Sequence, residues 1–464
     1  MTQWKKVKIG DVCKIVKGTT GIASAEAGEY PLVVTAEERK TCSTYQFDCE
    51  AVCIPLVSSS GHGKKSLNNV HYQSGKFALG TILCAVIPNN PEQLDARFLH
   101  QYLQFYKDTV LVPLMKGAAN VSLSMHDIAT VEIPLPPIEK QRELSALFFT
   151  LQENQKKLVA ETEKQFEYTK QLRQNILQDA IEGKLTADWR KNHPVIKGDP
   201  NYDAEALFEQ IQKEKTDKKQ KKLPPITAED KAFDIPEGWK WVRLGEISYN
   251  RSTGPFGSML HKTDYVSDGI PLINPTNIKL NHIDYQSCMM ISLAKFEKLN
   301  HYALSKNDII LARRGDLSKC GIIDTQKKQI CGTGCFFMKL LAVDENFFKL
   351  VYQSQKSQQY LLQDSIGQTM SNLNQKLLEK LPFPLPSIAE QKEIVDKVKY
   401  LLAKVAKLES QIAERENMAK QLMQSILKDA FGEKTPKRQN DVLGDVLNDA
   451  LDVALDVALD GAKN

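Results

Sequence analysis

Part of the chain occurs twice at a fixed interval. PLPPIEKQRE from Pro134 returns as PLPSIAEQKE from Pro384, and QLRQNILQDA from Gln171 returns as QLMQSILKDA from Gln421. Both echoes lie 250 residues apart, so the stretch between the two phrases has one length in both copies. The fronts have slipped: WKKVKIGDV from Trp4 matches WKWVRLGEI from Trp239 at four of nine positions and at an interval of 235. A repeat of this size restricts the fold to two similar modules, each ending in a long helix. The frame is kept while the interior drifts, as expected of two readers of different targets on one scaffold.

The interiors alternate short β-rich runs with turns. Runs starting at Ala51 (AVCIPLVSSSGHG), Phe77 (FALGTILCAVIP) and Asn307 (NDIILARRGD) read as strands ending in Gly-rich or polar loops, and residues 95–106 read as a helix. The expected fold is mixed α/β, with two tandem α/β domains at 1–137 and 236–386 in a pseudo-two-fold repeat. Pro134, Pro136 and Pro137 close the first, and Pro382, Pro384 and Pro386 the second.

A long helix follows each module, at 138–184 and 387–434. Ser387 and Glu390 have the spacing of a capping box at the second start. Ile394, Val398, Leu401, Val405, Leu408 and Ile412, then Leu422 and Ile426, form the seam of a coiled coil. The first helix keeps that seam at its ends with Leu144, Phe148, Leu151 and Leu158, then Leu172 and Ile176, while Gln155, Thr162, Gln165 and Thr169 make its middle polar. The pair is expected to pack antiparallel, each rod about 65 Å long at ~1.5 Å per residue. Between the copies, residues 185–235 hold a short amphipathic helix and a lysine-rich linker, and 435–464 form an acidic tail with a leucine every four residues from Leu443. The lysine run reads as a solvated linker before it reads as a phosphate contact. The tail is balanced between a docking helix and a frayed end.

Composition excludes several classes. A net charge of +4 permits nucleic-acid binding without demanding it. No run approaches the ~18 apolar residues that span a bilayer, and the start lacks an apolar signal core, so a cytoplasmic protein without membrane contact is expected. Nine scattered cysteines, with Cys49/Cys53 and Cys331/Cys335 the nearest pairs, read as reduced thiols and not as a metal site. A catalytic constellation is missing: GHGKKS at Gly61 lacks the upstream glycine of a P-loop, and Asn274-Pro-Thr-Asn277 reads as a turn and not as a methyltransferase tetrad.

The order of parts resembles the specificity (S) subunits of Type I restriction-modification systems. The resemblance rests on the two W-x-x-V-x-L/I-G-D/E openings, the two PLP…Q helix starts and the two helix ends. GKLTADWR from Gly183 and IPEGWKWVRLGEI from Ile235 add to it. It implies that each module reads one half of an asymmetric bipartite sequence in double-stranded DNA, with the paired helices as a ruler. It further implies docking of two methyltransferase subunits and of restriction/translocase subunits. The chain itself is then non-catalytic, with S-adenosylmethionine, ATP and Mg used by the partners and no cofactor of its own. A coiled-coil scaffold binding proteins instead of DNA is the alternative.

Reading DNA takes donors and acceptors on loops, with cations beside them for phosphates. In the first module the loop 58–69 offers Ser60, His62 and Asn68 to bases and Lys64 and Lys65 to phosphates; the loop 114–124 offers Lys116 and Asn120. In the second module the candidates are Arg251, Ser258 and Lys262 on 251–265, and Arg313, Arg314 and Lys319 on 312–319. Gln368 and Asn372 lie on 366–374, the counterpart of the Lys116 loop.

Overall fold

The computed structural model describes residues 4–60, 63–215, 223–256, 259–280, 282–362 and 373–431. Two compact units emerge, one of residues up to Thr162 together with those from Ala413 onward, the other of Glu163–Ile412. Each contains one module and parts of both long helices.

The first module runs β1 (Lys6–Lys8), α1 (Ile9–Val12), β2 (Cys13–Lys17), β3 (Tyr30–Val33), β4 (Lys40–Cys42), β5 (Phe47–Asp48) and β6 (Ala51–Pro55). It continues with β7 (His71–Gln73), β8 (Lys76–Leu79), β9 (Leu83–Pro88), α2 (Ala96–Val110), α3 (Met125–Ala129) and β10 (Glu132–Pro134). One sheet has the order β2-β9-β6-β7, the other β4-β3-β8-β5. All five positions of β6 are buried, because the strand is covered on both faces and its apolar run never alternates. The run from Phe77, read as one strand, is β8 and β9 separated by a turn at 80–82.

After α4 (Ile138–Ile181), α5 (Ala187–Asn192) and α6 (Ala204–Glu214), the second module repeats the plan. Its strands are β11 (Lys240–Arg243), β12 (Ser248–Thr253), β13 (Tyr265–Val266), β14 (Ile270–Ile273), β15 (Met289–Ile291), β16 (Ile309–Ala312), β17 (Cys320–Ile322), β18 (Ile330–Cys331), β19 (Cys335–Leu340) and β20 (Pro382–Leu385). Its helices are α7 (Leu293–Lys298), α8 (Glu345–Gln353), α9 (Gln355–Leu362) and α10 (Gln375–Lys380), and α11 (Ile388–Ala430) closes the order. The sheets are β12-β19-β16-β17 and β13-β15-β14-β18. The parallel pair of the first module, β3 with β8, recurs as β14 with β18.

The repeated opening and closing phrases are partners. β1 pairs antiparallel with β10, Val7 opposite Ile133, and β11 pairs with β20, Val242 opposite Phe383. Both phrases recur because together they make one two-stranded frame per module. The slippage lies inside that frame. Between β14 and β16 the second module spends residues 274–308, where the first spends 34–50 between β3 and β6. The added chain folds around Ile278, Ile283, Phe296, Leu299 and Tyr302.

One glutamine fastens each long helix to its module. Gln141 accepts the Asp95 N–H at 2.9 Å and donates to the carbonyls of Gln93 and Pro136. Gln391 accepts the Asp344 N–H at 2.8 Å and donates to the Pro386 carbonyl. Asp95 and Asp344 are the N-caps of α2 and α8, so the start of the long helix is tied to the start of a module helix in both copies.

Within the second unit α4 and α11 run antiparallel. Ile176, Ala180 and Ile181 share a core with Ile394, Val398 and Val405, while Arg173 makes two bonds of 3.0 and 2.7 Å to Glu409. That pair turns the helices from the expected seam. Leu172 and Leu408, each one residue earlier and so about 100° round the helix, stand 42% and 46% exposed. Leu401 is half-buried and Ile412 buried. Within the first unit Leu144, Phe148 and Leu427 are buried in one core with Leu151 against it, and Leu158, Leu422 and Ile426 are half-buried. Phe431 sits among Phe98, Tyr102, Phe105 and Tyr106, with ring centroids 5.5–5.9 Å away. Of the polar middle, Thr162 and Thr169 are buried, their hydroxyls donating to the Val159 and Phe166 carbonyls of their own helix.

The expected capping box is replaced by a wider junction. The Glu390 carboxylate accepts from the Thr186 hydroxyl at 2.7 Å, from Arg190, and from the Trp239 indole at 2.8 Å. GKLTADWR, IPEGW and the second helix start therefore meet at one buried carboxylate.

Candidate nucleic-acid interface

The loops singled out in the two modules occupy matching places. Residues 58–69 follow β6 and 313–319 follow β16; the loops at 114–124 and 366–374 precede α3 and α10. In the first module the Leu123 N–H donates to the Leu56 carbonyl at 2.9 Å and the Ser58 N–H to the Val121 carbonyl at 3.0 Å. In the second, the Leu373 N–H donates to the Arg313 carbonyl at 2.8 Å. Leu123 and Leu373 are counterparts at the 250-residue interval, so one bond of the same kind ties the end of the pre-helix loop to the first residue after the strand in both modules.

Backbone approach sets the first module's edge. A Cβ on Gly63, at φ 74°, would lie 2.3 Å from the Ala118 carbonyl oxygen, so only glycine lets the two loops touch there. The serines are turned into the loop: Ser58 Oγ donates to the Lys64 carbonyl, Ser59 Oγ accepts the Asn68 N–H, and Ser60 Oγ bonds Ser66 Oγ at 2.7 Å. Ser60 is thus committed to loop structure. The side chains of Lys64, Lys65 and Asn68 are exposed. Lys116 and Ser122 exchange both backbone bonds at 2.8 Å, presenting Asn120 on an exposed hairpin. Lys116 Nζ rests on Asp127 at 3.1 Å. His62 lies outside the described residues.

In the second module Arg251 departs from expectation. The strand β12 shifts register between Tyr249 and Ser252, with Asn250 at φ 47°. This bulge turns the Arg251 guanidinium inward to the Gly245 carbonyl at 3.2 Å and Glu379 at 3.3 Å. Only 6% of that side chain is exposed, and it braces the fold. Lys319 is likewise turned, donating to the Pro275 carbonyl at 3.1 Å. Pro275 lies in the 274–277 turn, closed by the Asn277 N–H on the Asn274 carbonyl.

The open cation here is Arg314, exposed and without a side-chain partner among the described residues. Arg313 lies over the Phe256 ring, 5.7 Å from its centroid, and its Nε is buried with no acceptor among the described residues. It does not pair with Asp316, whose carboxylate is taken by the N–H and hydroxyl of Ser318. Lys262 is exposed; Ser258, Gln368 and Asn372 lie outside the described residues.

Among the described residues no group of three or more His, Cys, Asp or Glu is placed to hold a metal ion, and no helix is long and apolar enough to cross a membrane. All nine cysteines are free. Burial alone pushes the Cys13 thiol up to about 12, away from reactivity. The Lys213–Lys222 run is described only as far as Lys215, and the acidic tail lies outside the described residues.

Sequence reasoning passed over Gln141, Gln391 and Phe256. The repeat itself carried the signal for the glutamines, since Gln sits at the same place in both PLP phrases. Phe256 carried no such signal, because an aromatic in a Gly-Pro loop reads the same whether it is packed or projecting.

Two tied-loop modules on a common strand frame, joined to long antiparallel helices, define a class of protein. The model of the Type I restriction modification DNA specificity domain family matches residues 1–168 and 236–415, and the chain belongs to that family. Among its relatives, the EcoDI specificity subunit of Escherichia coli is 24% identical over 449 residues, which cover 93% of this chain and 89% of that one. The EcoAI specificity subunit of Escherichia coli is 31% identical over 256 residues; the match spans 51% of this chain and 40% of that subunit's length. The fold is shared with the HsdS subunit from Thermoanaerobacter tengcongensis, with a TM-score of 0.51 at 18% identity, over 93% of this chain and 97% of that one. It is shared too with a chain solved to describe complex assembly and conformational transition of the type I R-M system, with a TM-score of 0.53 at 20% identity, over 93% and 98%.

Proposed function

We propose that the chain is the DNA-reading subunit of a Type I restriction-modification complex, with each module reading one half of an asymmetric bipartite target. The observation that carries this reading is the repeated loop tie. The same two loops are joined at the same edge of each module, with Lys64, Lys65 and Lys116 on one and Arg314 on the other, while the residues between the frames differ. A fixed frame under variable, cation-bearing loops suits recognition in which backbone contacts position and side chains specify. Asn68, Asn120 and Arg314 are the groups best placed to reach base edges, and the exposed lysines suit phosphates.

In this reading the long helices set the gap between half-sites and carry two methyltransferase subunits, with restriction/translocase subunits completing the complex. Methyl transfer, ATP hydrolysis and cleavage belong to those partners, with S-adenosylmethionine, ATP and Mg in their sites.

The test has two parts. The purified chain should bind duplex DNA with affinity that falls steeply as salt rises. With its methyltransferase partner it should methylate a sequence of two unlike half-sites, mapped by locating methylated bases. A lack of salt-dependent duplex binding, or a palindromic target, would overturn the reading. Methyl transfer by the chain alone would overturn its non-catalytic part.

A further inference from the structure

Against Arg313 of the second module stands an exposed aromatic ring. Phe256 is 52% exposed and Met259, three residues on, 40%. The residues before them are pinned. The Gly254 N–H donates to the Cys335 carbonyl at 3.1 Å, a Cβ at Gly254 would fall 1.9 Å from the Gly332 oxygen, and Pro255 is buried. The Phe256 carbonyl accepts the Met259 N–H at 2.8 Å. Behind the ring lies Arg313, with its own backbone held at N–H and carbonyl by Gly334 and Leu373. The result is an apolar tip on a fixed base, backed by the Arg313 guanidinium, with the exposed Arg314 next to it in sequence.

The first module supplies a comparison within the same chain. The Gly18 N–H donates to the Leu83 carbonyl at 2.9 Å, as Gly254 does to Cys335. Two residues further the position of Phe256 is taken by Thr20. Its N–H is bound to the Leu79 carbonyl at 3.0 Å and its carbonyl to the Thr81 N–H at 3.1 Å. Where one module carries a projecting ring, the other is stitched into its sheet.

We propose that Phe256, backed by Arg313, is a wedge that inserts at a base step of the half-site read by the second module, so that duplex distortion accompanies recognition there and not at the other half-site. Apolar side chains that enter a step unstack it, and adjacent cations hold the strained backbone. A flat ring with a guanidinium on one face keeps the other face for a base. The proposal rests on the DNA-reading function above and adds a specificity determinant, because steps that unstack easily are favoured under the wedge.

The test uses the full chain and duplexes built on its methylated target, with 2-aminopurine placed in turn through each half-site. Brightening is expected at one or two adjacent steps of the second module's half-site and nowhere in the first. Phe256→Ala should abolish the brightening and weaken binding about tenfold, whereas Phe256→Trp should keep both. Because the ring is exposed, the alanine variant should melt at the wild-type temperature. Wild-type binding without brightening, or brightening that survives Phe256→Ala, overturns the wedge and leaves the DNA-reading function standing. Absence of duplex binding by the wild type overturns both.

Discussion

At Glu390 three distant phrases of the chain meet on a carboxylate whose side chain is 4% exposed. Removing it leaves the Trp239 indole without its acceptor and the Arg190 guanidinium with only the neutral Thr186 hydroxyl and Gly183 carbonyl, so Glu390→Ala is expected to cost about 3–5 kcal/mol, read from urea unfolding of the second unit. A loss below about 1 kcal/mol would show that the junction is incidental. Local spacing made this residue look like half of a capping box, because Ser-x-x-Glu is the same phrase whether the glutamate reaches back or across. Its partners lie at 186, 190 and 239, and proximity of that kind is invisible in sequence. Arg251 misled for a related reason: a loop cation and a buried brace share one residue type, and a bulge decides between them.

Asp230 is a second residue with a measurable signature. The Arg243 guanidinium, which also bonds the Pro224, Pro225 and Lys380 carbonyls, holds the Asp230 carboxyl down to about 2 from its ordinary 3.8. A depressed folded value means stability that is fully present above about pH 4 and drains away as pH falls toward 2. Acid unfolding of the second unit should therefore steepen over that window. In Asp230→Asn that part of the pH dependence should vanish, with lower stability at neutral pH; an unchanged acid limb would rule the pair out as its source.

At the scale of elements, the glutamine latches explain why the PLP phrase recurs with its Gln in place. The buried Gln141 amide bonds three backbone groups and that of Gln391 two, so Gln141→Ala and Gln391→Ala should each cost about 1–3 kcal/mol. The first should act on the unit holding α2 and the second on the unit holding α8. Protection of the Asp95 and Asp344 amides in hydrogen exchange reads the two losses separately, and loss of protection at both sites in either variant would contradict local latching. The long helices, and the repeated phrases that turn out to be the frame strands, were legible because periodicity and repetition are one-dimensional signals; the pairing of those phrases was not. The exposure of Leu172 and Leu408 was not, because an ideal helix drifts from a strict heptad, and the Arg173–Glu409 pair decides where that drift is taken up.

For the whole molecule, the reading of the helices as a ruler is quantitative. Seven residues added to both α4 and α11 lengthen each rod by about 10.5 Å, or about three base pairs at ~3.4 Å each. The gap between methylated half-sites should widen by about that amount, or methylation should fail. Full activity at the original gap would remove the helices from the measurement. Within the polar middle the Thr162 hydroxyl bonds its own helix, whereas Thr169 also reaches Glu409 of the other long helix.

The unit holding the first module is completed by residues from Ala413 onward, Leu427 and Phe431 among them, whereas the second unit is one continuous stretch, Glu163–Ile412. During synthesis this inverts the usual order in which domains mature. The module that leaves the ribosome first keeps the aromatic socket of Phe98, Tyr102 and Tyr106 uncovered until almost the whole chain has followed. The module translated later has all its own parts earlier in its history. A nascent chain released just past residue 412 would thus carry one finished module and one still waiting for its plug.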